Sequence, residues 1–216
     1  AINLAVLGTI PHGAAKLRST AKEGDIICVT GTLGDSGAGL NLVLKGIKGS
    51  NPEQDYLRRR HYEPTPRIHE GLMLQGLSEV HAMMDISDGL ASDLGHILKA
   101  SGVAAQIDID RLPLSQELKS VCEEFKVLEN EKAAPRGNSD VAATSKDWNP
   151  EILALKSGED YELLFTCSPE IPTEITKAIP GTPITPVGRI IKGTPHITYL
   201  KEGREIDLNI KGFTHF

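Results

Sequence analysis

The sequence predicts an α/β or α+β domain, and three observations predict it. Short aliphatic strand patterns alternate along the chain with segments of helical period. Of the 216 residues, 39% are hydrophobic but only 4% aromatic, so the core must be built from Leu, Ile, Val and Ala. No segment recurs at a fixed period, which sets repeat architectures aside. The length suits one large domain or two small ones.

The elements follow in order. "INLAVLGTI" alternates loosely and reads as a strand, and "GDIICVTGTLG" as a second one, entered by a Gly-Asp turn. "SGAGLNLVLKG" reads as a short helix ending at Gly46 or Gly49. Residues 50–66 are polar and partly helical, and Pro64 and Pro66 must break any helix there. "RIHEGLMLQGLSE" reads as a helix and "VHAMMDIS" as a strand. From Asp88 a clear helix follows: Leu90, Leu94, Ile97 and Leu98 recur at i, i+4, i+7 and i+8, and Gly102 stands just past the end. "VAAQIDIDRLP" is a strand. "SQELKSVCEEFKVL" is an amphipathic helix with Ser115 as N-cap and Glu117 in the acid-favouring first turn. Residues 129–150 show no period and read as a surface insertion. "DYELLFTC" is a strand, "SPEIPTEITKAI" a capped helix, and "ITPVGRI" and "HITYL" late strands, with a turn at "EGR".

Charge and composition narrow the function. A formal charge of −6 argues against a general binder of nucleic acid or anionic membrane, since both need basic surfaces. No apolar run approaches the roughly 20 residues of a spanning helix, and the start lacks the basic leader of a signal peptide. Cys28, Cys122 and Cys167 are odd in number, far apart and in no C-x-x-C pair. They read as structural thiols of a reducing compartment, with a cytoplasmic location expected. The chain starts at Ala1 inside a strand pattern, so a piece of a longer protein is expected.

Four stretches carry candidate chemistry. "VTGTLGDSGAGL" places Gly31, Gly34, Gly37 and Gly39 between a strand and a helix. Its backbone N–H groups suit a phosphate, or the stretch is a tight turn with Asp35 or Ser36 capping the helix. It matches neither a Walker A sequence nor G-x-G-x-x-G. In "MMDISDGLASDL", Ser87 or Asp88 suits a helix cap, whereas Asp85 ends an apolar strand, where an unpaired buried carboxylate is costly. Asp85 and Asp88 on one turn suit a hard cation, Mg²⁺ or Ca²⁺ rather than zinc. Asp93 is expected to pair with His96. "GEDYELLF" places Glu159, Asp160 and Glu162 at the start of an apolar strand, as a solvated turn or a site. "YLRRRHYEPTPR" gathers Arg58, Arg59, Arg60 and Arg67, as a solvated helix end or an anion clamp.

Taken together and in this order, "KLRSTAKEGDIICVTGTLGDSGAGL", "PTPR", "MMDISDGLASDL", "GEDYELLFT" and terminal "GFTHF" resemble the thiamine-monophosphate kinase family. That family belongs to the aminoimidazole ribonucleotide synthetase-like superfamily. The resemblance covers nearly the whole chain and is weakest at residues 126–150. It implies the C-terminal α/β domain of that fold, a mixed sheet packed with helices. Residues 14–216 would form this domain, and residues 1–13 the last strand of an N-terminal domain that is otherwise missing.

The resemblance also implies a reaction: ATP phosphorylates thiamine monophosphate to thiamine diphosphate, with Mg²⁺, in a cytoplasmic homodimer. By resemblance Asp85 and Asp88 are Mg²⁺ ligands, and Ser87 and Arg18 contact ATP. Glu159 or Asp160 contacts the thiamine part, with Phe213 as an aromatic wall against it. Asp35 and Arg67 are weaker candidates. Ser157 departs from the pattern, in which another Gly usually precedes "GEDYELL". Most of the family's metal carboxylates lie in the N-terminal part, so these 216 residues are expected to hold half an active site. A dehydrating synthetase of the same superfamily and a non-catalytic nucleotide-binding or dimerisation module are the alternatives.

Overall fold

The computed structural model describes residues 5, 7–48, 51–132, 147–170, 175, 179, 181–208 and 210. Seven strands form one sheet: β1 (Ile26–Thr30), β2 (Val80–Asp85), β3 (Ala104–Asp108), β4 (Leu163–Cys167), β5 (Ile184–Ile191), β6 (Ile197–Lys201) and β7 (Arg204–Ile206). Their order across the sheet is β2-β4-β1-β5-β3-β6-β7. Only the β3–β6 pairing is parallel. The sheet is therefore mixed, as the resemblance implies. Among the described residues six α-helices accompany it: α1 (Asp35–Leu44), α2 (Pro52–Tyr62), α3 (Ile68–Gln75), α4 (Leu90–Ser101), α5 (Gln116–Lys132) and α6 (Pro150–Lys156).

Strand alternation splits the core into two layers. Ile27 and Val29 of β1 and Leu164 of β4 face the layer built on Leu90, Leu94, Ile97 and Leu98 of α4. Cys28, Phe165 and Cys167 face the other side, where Leu74 of α3 covers them. Both faces of the central strands are buried, which explains their nearly continuous apolar sequence. A third cluster joins α1, α2 and α5 through Ala38, Leu42, Leu57, Leu118 and Val121. All three cysteines are unpaired and buried, as expected of structural thiols. Among the described residues no helix is long and apolar enough to cross a membrane.

Most expected elements are present. Gly102 adopts the left-handed conformation at the end of α4 (φ 70), the helix stop its position predicts. The Ser115 hydroxyl accepts from Leu118 N–H at 3.0 Å, the expected cap of α5. Glu202 and Gly203 both have positive φ and close the β6–β7 hairpin at the expected turn.

Three expectations change. Residues 5 and 7–10 carry no strand, and the rest of the first expected strand lies outside the described residues. The expected surface insertion is shorter at both ends. Helix α5 continues to Lys132, and Trp148 is fully buried, stacked on Phe125 with ring centroids 4.2 Å apart. Residues 133–146 between them lie outside the described residues, as does most of "SPEIPTEITKAI". Helix α6 is an unanticipated element, although Asn149 caps it (Oδ1 accepts from Ile152 N–H, 3.0 Å) and Pro150 opens it.

Candidate functional site

Two turns make the centre of the site. The first, residues 86–89, joins β2 to α4, and the second, residues 157–162, joins α6 to β4. Three backbone hydrogen bonds stitch them together. Ile86 N–H donates to the Glu162 carbonyl (2.8 Å), Tyr161 N–H to that of Ile86 (3.0 Å), and Glu159 N–H to that of Ser87 (2.9 Å). Gly158 is required at this seam, because a Cβ there would overlap the Ser87 carbonyl. Buried Ile86 anchors the first turn in the core.

The first turn is held differently from the expected way. Neither Ser87 nor Asp88 caps α4: the N-cap is Gly89, with no side-chain cap. Instead Asp93, buried one turn into the helix, accepts from the N–H groups of both Ser87 and Asp88 at 3.0 Å. Burial pushes the Asp93 carboxyl's pKa up, those two N–H groups pull it down, and the nearby Asp88 and Asp85 push it up again. Ligand atoms of Asp88, Asp93 and His96 lie within 4.8 Å of one another. The expected Asp93–His96 ion pair is not formed; Asp93 instead shapes the turn through the Ser87 and Asp88 N–H groups. Carboxylates gathered on one rigid turn fit a hard divalent cation, which takes oxygen ligands. Asp88 and Asp93 offer oxygen atoms that could serve as part of the roughly six-ligand shell of such an ion.

Asp85 and Asp88 open on different spaces. Asp85, at the exposed end of β2, lines a cleft of about 440 Å³ with Pro64, Pro66, Arg67, Ile68, Tyr161 and Leu163. Asp88 and Ser87 line a cleft of about 370 Å³, together with Ser36, His61, Leu153 and Glu159. There the Ser36 hydroxyl and His61 Nδ1 lie 3.0 Å apart, and His61 Nδ1 is 3.9 Å from the Glu159 carboxylate.

The Gly-rich turn is packed rather than open. Neither Asp35 nor Ser36 caps α1, whose N-cap Gly34 has no side-chain cap of its own chain segment. The cap comes from Asp160, whose two carboxylate oxygens accept from Gly34 N–H (2.7 Å) and Ser36 N–H (3.1 Å). Asp160 is buried, and burial pushes its carboxyl up to about 7 against the pull of those N–H groups. Gly39 lets α1 lie directly on α2, where a Cβ would overlap the Leu57 carbonyl. The Asp35 carboxylate is fully buried and accepts from Thr32 and Ser115 hydroxyls at 2.6 Å each, with Arg60 Nε 3.7 Å away. Burial pushes its pKa up, opposed first by the Ser115 and Thr32 hydroxyls.

Two arginines of the basic stretch, Arg60 and Arg67, turn inward onto a carboxylate of the same chain. Arg67 forks onto fully buried Glu162 (Nε–Oε2 2.6 Å, Nη2–Oε1 2.8 Å), and Arg60 Nη2 joins at 3.0 Å. Thr30 Oγ1 donates to the same carboxylate at 2.7 Å. Hydrogen bonding to Glu162 raises the Arg67 pKa. Glu162 is the hub that sequence reasoning missed. Its signal was the last acid of "GEDYELLF", entering an apolar strand in a chain whose arginines cluster once.

Of the two thiamine-contact candidates, Asp160 is committed to α1, while Glu159 is 58% exposed at the cleft. Arg18 is not brought to these residues. Its carbonyl accepts from Ser101 Oγ (2.9 Å) at the C-terminal end of α4, roughly 17 Å along the helix from Leu90 at its start. Phe213 lies outside the described residues.

Comparison with known proteins places this geometry. Residues 22–199 match the family described as AIR synthase related protein, C-terminal domain. The chain is 36% identical over 219 residues to a thiamine-monophosphate kinase of Escherichia coli (strain K12), covering 100% of this chain and 59% of that protein. A solved structure described as AaThiL complexed with AMPPCP and TMP matches with a TM-score of 0.68 at 36% identity, covering 92% of this chain and 53% of that one. The thiamine-monophosphate kinase from Stenotrophomonas maltophilia K279a gives 0.69 at 32% identity, covering 91% and 56%. The chain thus spans little more than half the length of these relatives. With the family's pattern matched over most of its length and the same fold in both structures, the chain belongs to the AIR synthase related protein, C-terminal domain, family.

Proposed function

We propose that the polypeptide carrying this domain transfers the γ-phosphoryl group of ATP to thiamine monophosphate, giving ADP and thiamine diphosphate. The observation that carries this reading is the seam at residues 86–89 and 157–162. It puts Ser87, Asp88 and Glu159 around one cleft, in a chain 36% identical along its whole length to a thiamine-monophosphate kinase. The relative described as complexed with AMPPCP and TMP, an ATP analogue and the acceptor, supports the same reading.

The chemistry follows from what phosphoryl transfer demands: in-line placement of two phosphates and neutralisation of their charge, with little covalent work for the protein. Mg²⁺, where bound, would supply neutralisation of the phosphate charge. Asp85 and Asp88 would hold it, and Asp93 would keep their turn in shape. Ser87 would orient ATP. Glu159, at the rim of the cleft, would face the cationic thiazolium, with Phe213 as an aromatic wall. Arg18 would act on nucleotide phosphate only from a position away from the Ser87 end of α4. Two copies would form a homodimer. These 216 residues alone would turn over little substrate, because they supply only part of a metal site.

The test is product analysis on a polypeptide of the relatives' full length, supplied with ATP, Mg²⁺ and thiamine monophosphate. The reading expects thiamine diphosphate and ADP in equal amounts. ADP without thiamine diphosphate would instead favour a dehydrating synthetase. No ADP at all would favour a non-catalytic module.

A further inference from the structure

We propose that Asp160 is a positioning residue: through α1, Ser36 and His61 it aims Glu159 into the cleft. The inference rests on the reading of Glu159 as the substrate contact.

The backbone around Asp160 is unusual. Glu159 (φ 63) and Tyr161 (φ 50) both occupy the left-handed region, and neither is glycine. Residues with a Cβ adopt this region rarely and at a cost, so something must hold them there. Two sets of bonds do. The flanking N–H groups of Glu159 and Tyr161 donate to the Ser87 and Ile86 carbonyls on one side. Between them, the Asp160 side chain reaches the other way and accepts from Gly34 and Ser36 N–H. The three residues are stretched between two elements, and the only side chain in that tie is Asp160.

The tie closes into a ring. Asp160 holds Ser36 N–H, the Ser36 hydroxyl contacts His61 Nδ1 at 3.0 Å, and His61 Nδ1 stands 3.9 Å from the Glu159 carboxylate. Glu159 is therefore held by its own backbone, with His61 standing beside its carboxylate. Its side chain remains 58% exposed and would otherwise sample many rotamers. Cutting the tie at Asp160 frees the backbone hold on Glu159 and loosens the Ser36–His61 contact beside it.

The test is a double-mutant cycle in the polypeptide of full length, with Asp160→Asn, Glu159→Gln and the pair, read as KM for thiamine monophosphate, KM for ATP and kcat. Misplacement of a contact by about 1 Å can cost roughly 100-fold, so Asp160→Asn is expected to raise the thiamine monophosphate KM at least about 10-fold. The ATP KM should change less than about 3-fold, and the double variant should be no worse than the weaker single one. A folded Asp160→Asn protein with unchanged thiamine monophosphate KM, or strictly multiplicative losses, would overturn the proposal. Hydrogen exchange gives an arm independent of turnover. Loss of protection over 158–162 in Asp160→Asn supports the tie even if wild type makes no thiamine diphosphate, and unchanged protection overturns it. Should Asp160→Asn fail to fold, Ser36→Ala cuts the ring more gently. It should raise the same KM without adding to Glu159→Gln, and an unchanged KM would again overturn the proposal.

Discussion

Asp35, Asp160 and Glu162 differ from Asp85, Asp88 and Glu159 in what neutralises them, although both sets lie around the same two turns. The first three are buried and supplied with partners from within the chain: hydroxyls for Asp35, the N-terminus of α1 for Asp160, two arginines for Glu162. The second three line clefts. A folded domain can bury a carboxylate only with hydrogen bonds or counter-charge around it. The first set is therefore architecture, and the second is where outside cations and substrates can act. Glu159 and Asp160 are neighbours in sequence and fall on opposite sides of that division.

Breaking the buried set should cost stability. The largest effect is expected from Glu162→Gln, which leaves Arg60 and Arg67 buried against a neutral group. Removing one member of a buried ion cluster costs about 3–5 kcal/mol, to be read from urea unfolding. A loss below about 1 kcal/mol would place Glu162 with the open set.

The second effect is a pH slope. Asp160's folded-state pKa, raised to about 7, stands above the unfolded value, which is about 3.9. The folded protein therefore binds the extra proton between these values. Its contribution to stability is full below pH 4 and is lost as pH rises to 7, by at most about 1.4 kcal/mol per pH unit. Subtracting the stability profile of Asp160→Asn from that of wild type should leave this falling segment. A flat difference would mean that Asp160 is not the buried acid described.

Smaller still, Arg67→Lys keeps the charge and loses the fork on Glu162, an expected cost of about 1–2 kcal/mol. Asp85→Asn belongs to the open set and should change stability by less than about 0.5 kcal/mol. A larger loss would make Asp85 structural.

Local pattern carried much of the fold into the sequence. Short apolar runs bounded by turn residues marked β1, β2 and β4, the i, i+4 spacing marked α4, and Gly102 marked its end. Pattern failed where partners are distant. The caps of α1 and α4 seemed to belong to Asp35, Ser36, Ser87 or Asp88, as adjacent residues of the right type. In the fold Asp160 supplies one from 124 and 126 residues away, and Asp93 reaches back to the other turn. Glu162 and Arg67, 95 residues apart, were legible only as an odd acid and an odd basic cluster. Helix α6 is seven residues long, too short for its period to stand out beside a segment with none. For the candidate site, motif resemblance marked the two turns, and in the fold Asp160 is buried while Glu159 is exposed at the cleft.

The most direct test of the division is a Mg²⁺ titration of thiamine diphosphate formation by the full-length polypeptide carrying Asp85→Asn. Losing even an indirect partner of a metal ligand costs about 10–100-fold in metal affinity. The account therefore predicts a Mg²⁺ midpoint raised at least about 10-fold, with urea unfolding unchanged. Superimposable Mg²⁺ curves for the variant and wild type would contradict it.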